Sequence, residues 1–230
     1  MQQQAEGVDV RALVELNRRA VTESVRIVGF VRPDQLALQT PCADWDLGRL
    51  LSHMIAQHRG FTAAARGKGD DLSVWRESTT GHDPVPAYAA SAGELIEAFA
   101  ADDIEGRSFH LPEVRNGGPF PASLAIAFHL VDYVAHGWDV ARSIGVETAY
   151  PGAVIRAALR VAAAIPDGDE RLAPGAAFAP AVAAPGDAAP DDAVRITGSG
   201  EATDSADAAA ADMDQLLRIL GRDPGWSPRN

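Results

Sequence analysis

From Val8 to Val31 the apolar positions Val10, Leu13, Val14, Val21, Val25 and Val28 recur at intervals of three and four, or sums of these, the repeat of one face of an amphipathic helix. The pattern predicts a first helix there, closed by Pro33. A loop through Thr40-Pro41-Cys42-Ala43 leads to Asp46. The Asp46 carboxylate can accept from the free N–H groups of a helix start, and Trp45 and Leu50 have hydrophobic-staple spacing. A second helix is therefore expected from Leu47 to Ala65, stopped before Gly67 and Gly69. A third, from Pro86 to Ala101, carries Tyr88, Leu95, Ile96 and Phe99, and its Gly93 lowers the helix propensity. The fourth follows Asn116-Gly117-Gly118-Pro119, runs from Pro121 to Ile144 and stops at Gly145, which suits a left-handed position after a helix. Its stripe of Leu124, Phe128, Val131, Ala135 and Trp138 is widened by Ile126, Tyr133 and Val134, so this helix is expected to be buried on several sides. A fifth spans Pro151 to Ile165, with proline in a tolerated first-turn position.

After Ile165 the periodicity gives way. Between Pro166 and Asp214 eleven Asp and Glu stand against two Arg, among many Ala, Pro and Gly, which reads as an irregular and partly mobile extension. Ala193-Val194-Arg195-Ile196-Thr197 could form one short strand within it, and a last amphipathic helix runs from Met213 to Leu220. Four long helices without alternating strands predict an all-α four-helix bundle with a C-terminal helical and irregular extension. The expected division is a bundle over 1–165 and an Ala/Pro/Asp-rich extension over 166–230, ending in a short helix that packs on the bundle. A solvated tail and a cover over the open end of the bundle are its two readings. Links of about 20 residues exceed the short connections usual in a compact domain, so some should cover the mouth of a site.

Composition narrows the function classes. The 230 residues carry 20 basic and 32 acidic side chains, a formal net charge of −12. With Arg18-Arg19 the only adjacent basic pair, no basic stripe is available for a phosphate backbone, and a nucleic-acid partner is excluded. No segment approaches the roughly 20 apolar residues of a membrane helix, and Met1 to Gly7 has neither a basic nor an apolar leader region. The single cysteine, Cys42, rules out an intramolecular disulfide and a Cys-based zinc cluster. A cytoplasmic protein acting on a small molecule, as a monomer or homodimer, is the expectation.

Three of the six histidines bear on chemistry. Asp132 lies four residues before His136, so the two side chains stack on one helical face with Cβ atoms about 6 Å apart, and one divalent cation could bridge them. His53, in the middle of the second helix, is placed to supply a third ligand. Two imidazoles and a carboxylate leave a coordination position open, the composition of a catalytic metal site. His129, three residues before Asp132, could replace His136 or donate to the carboxylate, and spacing does not decide between these. His58 sits about 140° around the helix from His53, too far for both to reach one ion. His82 and His110 fall in loops and should be solvated. Cys42 precedes a helix start, a setting that can lower a thiol pKa, or it is a small residue packed in a loop. Asp139 and Arg142 read as a surface ion pair, or Asp139 orients a ligating histidine. Gly117-Gly118 lacks the Lys-Ser/Thr of a phosphate loop, which excludes nucleotide binding of that type.

Thr40-Pro41-Cys42-Ala43-Asp44-Trp45-Asp46-Leu47, followed by His53, resembles the TPCxxWD…H signature of the maleylpyruvate-isomerase-like, DinB-like metal-binding proteins. Asp132-Tyr133-Val134-Ala135-His136-Gly137-Trp138-Asp139-Val140-Ala141 is similar to that family's E-x-x-x-H-G-W-D-L-A signature. The segment from Leu216 to Trp226 looks like its closing LLxLLGRDPxW. The resemblance implies a DinB-like four-helix bundle holding a divalent metal, with zinc, nickel or iron as candidates and His53, Asp132 and His136 in the ligand positions. Asp132 stands where the family commonly has Glu. The resemblance further implies mycothiol as a cosubstrate, and with it isomerisation or S-transfer on a small electrophile. A metal-dependent hydrolase and a metal- or ligand-binding protein without turnover are the alternatives. No residue beyond the ligands is assigned a catalytic role.

Overall fold

The computed structural model describes residues 9–42, 45–78, 82–114, 117–173, 176–184 and 205–228. They fall into two compact units, Met1–Tyr150 with Ser227–Asn230, and Pro151–Trp226.

In the first unit the predicted helices form where their end signals are local. Helix α1 (Val10–Val28) starts at Asp9, whose carboxylate accepts from Ala12 N–H, and ends at Gly29, short of the expected Val31. Phe30 and Val31 instead turn back, their N–H groups donating to Ile27 and Val28. Helix α2 (Leu47–Ala65) has the predicted bounds, because Asp46 Oδ1 accepts from Arg49 N–H at 2.8 Å. Helix α3 is Val85–Phe99, and helix α4 is Ala122–Ile144, closed by Gly145 at φ 73°. The nearest packing joins α1 to α4 and α2 to α3, while α1 with α3 and α2 with α4 complete a ring of four. Consecutive helices α1 and α2 are thus diagonal, as are α3 and α4, so the chain has to cross an end of the bundle between the members of each pair. This accounts for the long links there.

Helix α4 is buried over most of its length, as its wide apolar surface predicts. The predicted stripe is nevertheless rotated at its start: Leu124 is 39% exposed and Phe128 half-buried, while Ala125, Ile126, His129, Leu130, Tyr133 and Val134 face the core. Before α4 the chain forms a hairpin absent from the sequence reading. Strand β1 (Ser108–His110) pairs antiparallel with β2 (Pro119–Pro121), Phe109 lying opposite Phe120. Phe109 is fully buried, with its ring centroid 5.7 Å from that of Phe99. His110, expected in a solvated loop, is therefore a half-buried strand residue, whereas His82 is exposed as expected.

The second unit contains α5 (Gly152–Ala162) and α6 (Ala206–Ile219), packed on each other. Helix α6 starts seven residues before the predicted Met213, capped by Ser205 on the Ala208 N–H. Between them the buried Arg171 guanidinium donates to the carbonyls of Ile165, Pro166, Ala179 and Ile219, tying the segment after α5 to the end of α6. The short strand considered for Ala193–Thr197 lies outside the described residues.

Candidate metal centre

The neighbouring helices α2 and α4 carry the predicted ligands. His53 stands mid-way along α2, and Asp132 and His136 are one turn apart on α4. The structure brings one donor atom from each of the three within 4.8 Å of the others. Metal–donor bonds of about 2.0–2.2 Å put two ligands of one ion about 3.3–4.4 Å apart, so small side-chain adjustments suffice for one cation to be shared. Asp132 reaches far enough despite being the shorter acid: its Oδ1 lies 3.3 Å from His136 Nε2.

Each histidine also has a carboxylate beside its Nδ1. His136 Nδ1 is 3.0 Å from Asp139 Oδ2, and His53 Nδ1 is 3.4 Å from Glu77 Oε1. When Nδ1–H donates to a carboxylate, the Nε2 lone pair is left to face a cation, the usual arrangement around metal-bound imidazoles. The Trp45 ring lies over both, its centroid 4.6 Å from that of His53 and 6.1 Å from that of His136. Arg49 stacks on Trp45 at 5.0 Å and lies 3.8 Å from Glu77.

The charges follow from these contacts. Burial opposes a proton on His136, but the carboxylates of Asp132 and Asp139 outweigh it and push its pKa up to about 9. Burial favours a neutral Asp132, yet His136, His53 and His129 hold its carboxyl well below the usual range. Burial and the nearby His136 lower His53 against the pull of Asp132 and Glu77. Without an ion, the centre is an acid–base cluster whose positive charge resides on His136. An ion held there would replace that proton.

His129 is turned away from the cluster. Its Nδ1 is 3.0 Å from Asn17 Nδ2 of α1, and its ring stacks on Tyr133 at 4.0 Å. His58, as the angular argument requires, points elsewhere than His53. Its Nδ1 meets Ser91 Oγ at 3.0 Å, and Ser91 Oγ donates to Tyr88 O. Both rings are fully buried, and burial takes His129 down to about 3 and His58 in the same direction.

Residues 17–141, more than half of the chain, match the family described as mycothiol maleylpyruvate isomerase N-terminal domain. The chain belongs to that family. Among relatives of this family member, two uncharacterized proteins of Mycobacterium tuberculosis strains are each 27% identical over 137 residues, covering 57% of this chain and 67% of theirs. Its fold is similar to the crystal structure of the mycothiol-dependent maleylpyruvate isomerase, with TM-score 0.50 and 17% identity over 68% of this chain and 69% of that one. A histidine-to-alanine mutant of that isomerase gives TM-score 0.53 and 15% identity, with the same coverage. The family fold is the all-α, DinB-like bundle described above, here with a further helical and irregular C-terminal part.

Two residues around this family member's centre escaped the sequence reading, and the structure decides between two readings of a third. Asp139, open between a surface ion pair and a residue that orients a ligating histidine, is fully buried, because α4 is enclosed on that side, and it bonds His136. Trp45 had been assigned only a stapling role. Glu77 carried no signal at all, since it reaches His53 from the link after α2 through tertiary packing. Trp75 in that link lies on Gly60 of α2, where any Cβ would come within 2.2 Å of the indole, and Trp75 Nε1 donates to Gly69 O at 2.9 Å. A glycine opposite a tryptophan thus fixes the link that delivers the carboxylate.

Proposed function

We propose that this chain is a divalent-metal-dependent enzyme that uses a low-molecular-weight thiol, mycothiol or a close analogue, for isomerisation or S-transfer on a small electrophilic substrate. The observation that carries the reading is the convergence of His53, Asp132 and His136, with the Nδ1 of each histidine on a carboxylate. Family membership supports the thiol, and the isomerase that shares the fold is described as mycothiol-dependent. The donor set of two imidazoles and a carboxylate fits zinc, with nickel and iron as alternatives.

When bound, the ion supplies Lewis acidity, which keeps a thiol ionised at neutral pH. The chain's own residues do the rest. Asp139 holds the Nδ1 proton of His136 and aims its Nε2 toward Asp132, and Glu77 sets a second carboxylate beside His53 Nδ1. Asp132 adds a negative charge that holds a cation in a buried setting. Trp45 covers the imidazoles and limits water on that side, and Arg49 beside it presents a positive group to an anionic substrate. A thiolate that adds to an electron-poor alkene leaves a single bond about which the adduct anion rotates; its expulsion returns the isomerised alkene and the thiolate.

The test is metal content by plasma mass spectrometry on protein purified without a chelating tag, with thiol-stimulated turnover of electrophilic alkenes measured alongside. Near one ion per wild-type chain is expected, with metal and thiol-dependent turnover both lost in His53→Ala and His136→Ala. Full thiol-dependent activity in metal-free protein would overturn the reading.

A further inference from the structure

His136 offers two faces to a cation. Nε2 looks toward Asp132 Oδ1 at 3.3 Å, whereas Nδ1 looks toward Asp139 Oδ2 at 3.0 Å. Cys42 stands on the second face: its Sγ, a ring nitrogen of His136 and a carboxylate oxygen of Asp139 all lie within 4.8 Å of one another. The backbone of Cys42 is fixed by Thr40, whose Oγ1 accepts from Cys42 N–H at 3.2 Å and whose hydroxyl is within 3.0 Å of Cys42 O and 2.9 Å of Trp45 O. Thr40 itself is buried. Cys42 is the half-buried member of the group, so a cation can arrive past it to the buried His136 and Asp139.

We propose that this face is a second metal position, in which a thiophilic cation is held by Cys42 Sγ, His136 Nδ1 and Asp139 as an alternative to the position made by His53, Asp132 and His136. A thiolate and an imidazole select soft and borderline ions, and the carboxylate adds charge without changing that preference. One neutral imidazole has one lone pair in the ring plane, so the two positions exclude each other. In the first, Nε2 ligates and Nδ1–H donates to Asp139. In the second, Nδ1 ligates, the ring carries its proton at Nε2, and Asp132 Oδ1 accepts the hydrogen bond. Binding there to the ion-free centre releases two protons, that of the Cys42 thiol and the Nδ1 proton of the His136 imidazolium, and forms metal bonds to sulfur, Nδ1 and the carboxylate with no change of oxidation state. An ion so held carries the chain's own thiolate where an external thiol would otherwise bind, so the position competes with thiol chemistry. The proposal does not depend on the function proposed above.

Cadmium(II) alone is the probe, added to metal-free full-length protein and followed through the ultraviolet thiolate-to-cadmium charge-transfer band. Four chains are compared: wild type, His53→Ala, Cys42→Ser and the double variant, each checked for fold by circular dichroism. His53 and Cys42 are not fully buried, which favours folded variants. His53→Ala should bind one cadmium with the thiolate band, and adding Cys42→Ser should abolish the band and weaken binding at least tenfold. Cadmium should also protect Cys42 of His53→Ala from iodoacetamide. Absence of the band in His53→Ala, or equal affinity with and without Cys42, would overturn the proposal. The first position is read separately, from ion binding by Cys42→Ser and its loss in the double variant.

Discussion

Acid should unfold this protein earlier than its carboxylates alone would require, because two histidines are sealed in the core in the neutral form. His129 is the measurable case. Its pKa lies near 3 in the folded chain because burial penalises the imidazolium, against about 6.5 when unfolded. Between these values the unfolded chain binds a proton that the folded chain refuses, so stability is full above about pH 6.5 and falls as the pH drops toward 3. At about 1.4 kcal/mol per pH unit, lowering the pH from 7 to 5 removes about 2 kcal/mol through His129 alone. His58 acts in the same direction. The assay is urea unfolding of metal-free wild type and His129→Leu at pH 7 and pH 5. The variant has an offset of its own, since it leaves Asn17 Nδ2 without its His129 partner, but that offset is common to both pH values. The difference in unfolding free energy between the two chains should shift by about 2 kcal/mol, wild type losing ground in acid. An unchanged difference would mean that His129 is protonated in the folded state, and the reasoning would fail.

Gly137→Ala should destabilise the bundle by about 2 kcal/mol in the same urea assay, despite alanine's better helix propensity. Its Cβ would fall 1.9 Å from Tyr150 Oη, which donates to Tyr133 O at 3.1 Å; no loss of stability would show that Tyr150 can move aside freely. Asp139→Asn keeps the shape and removes the charge beside His136, so zinc affinity measured with a competing chelator should fall by about 10–100-fold, and an unchanged affinity would count against its orienting role. Asp46→Ala removes the cap on Arg49 N–H and should cost about 1 kcal/mol by thermal unfolding, with any greater loss of metal affinity traced to the start of α2.

What could be read from the sequence was what depends on neighbours along the chain. The ends of α2 match because Asp46 and the first turn are adjacent, and His53, Asp132 and His136 were recoverable because two of them share a helical face. Helix α6 was shortened because Ala206–Asp212 has no apolar repeat, only alanine's propensity and the Ser205 cap. The hairpin was missed since three-residue strands, one of them Pro119-Phe120-Pro121, lack any alternating signal. Spacing left His129 undecided, and the structure assigns it by what stands on α1, namely Asn17. Glu77 depends on how the link after α2 packs, and no local pattern records that; for Asp139 the spacing left two readings open, and the enclosure of α4 decides between them.

The indole of Trp45, resting against two imidazoles with a guanidinium on it, makes the centre optically legible. Indole emission responds to the charge of the groups it touches, so the exchange of a proton on His136 for a metal ion, or the arrival of a thiol, changes the light this one side chain emits. A Trp45→Phe subtraction isolates that signal from the three other tryptophans, and occupancy can then be followed in real time without a substrate.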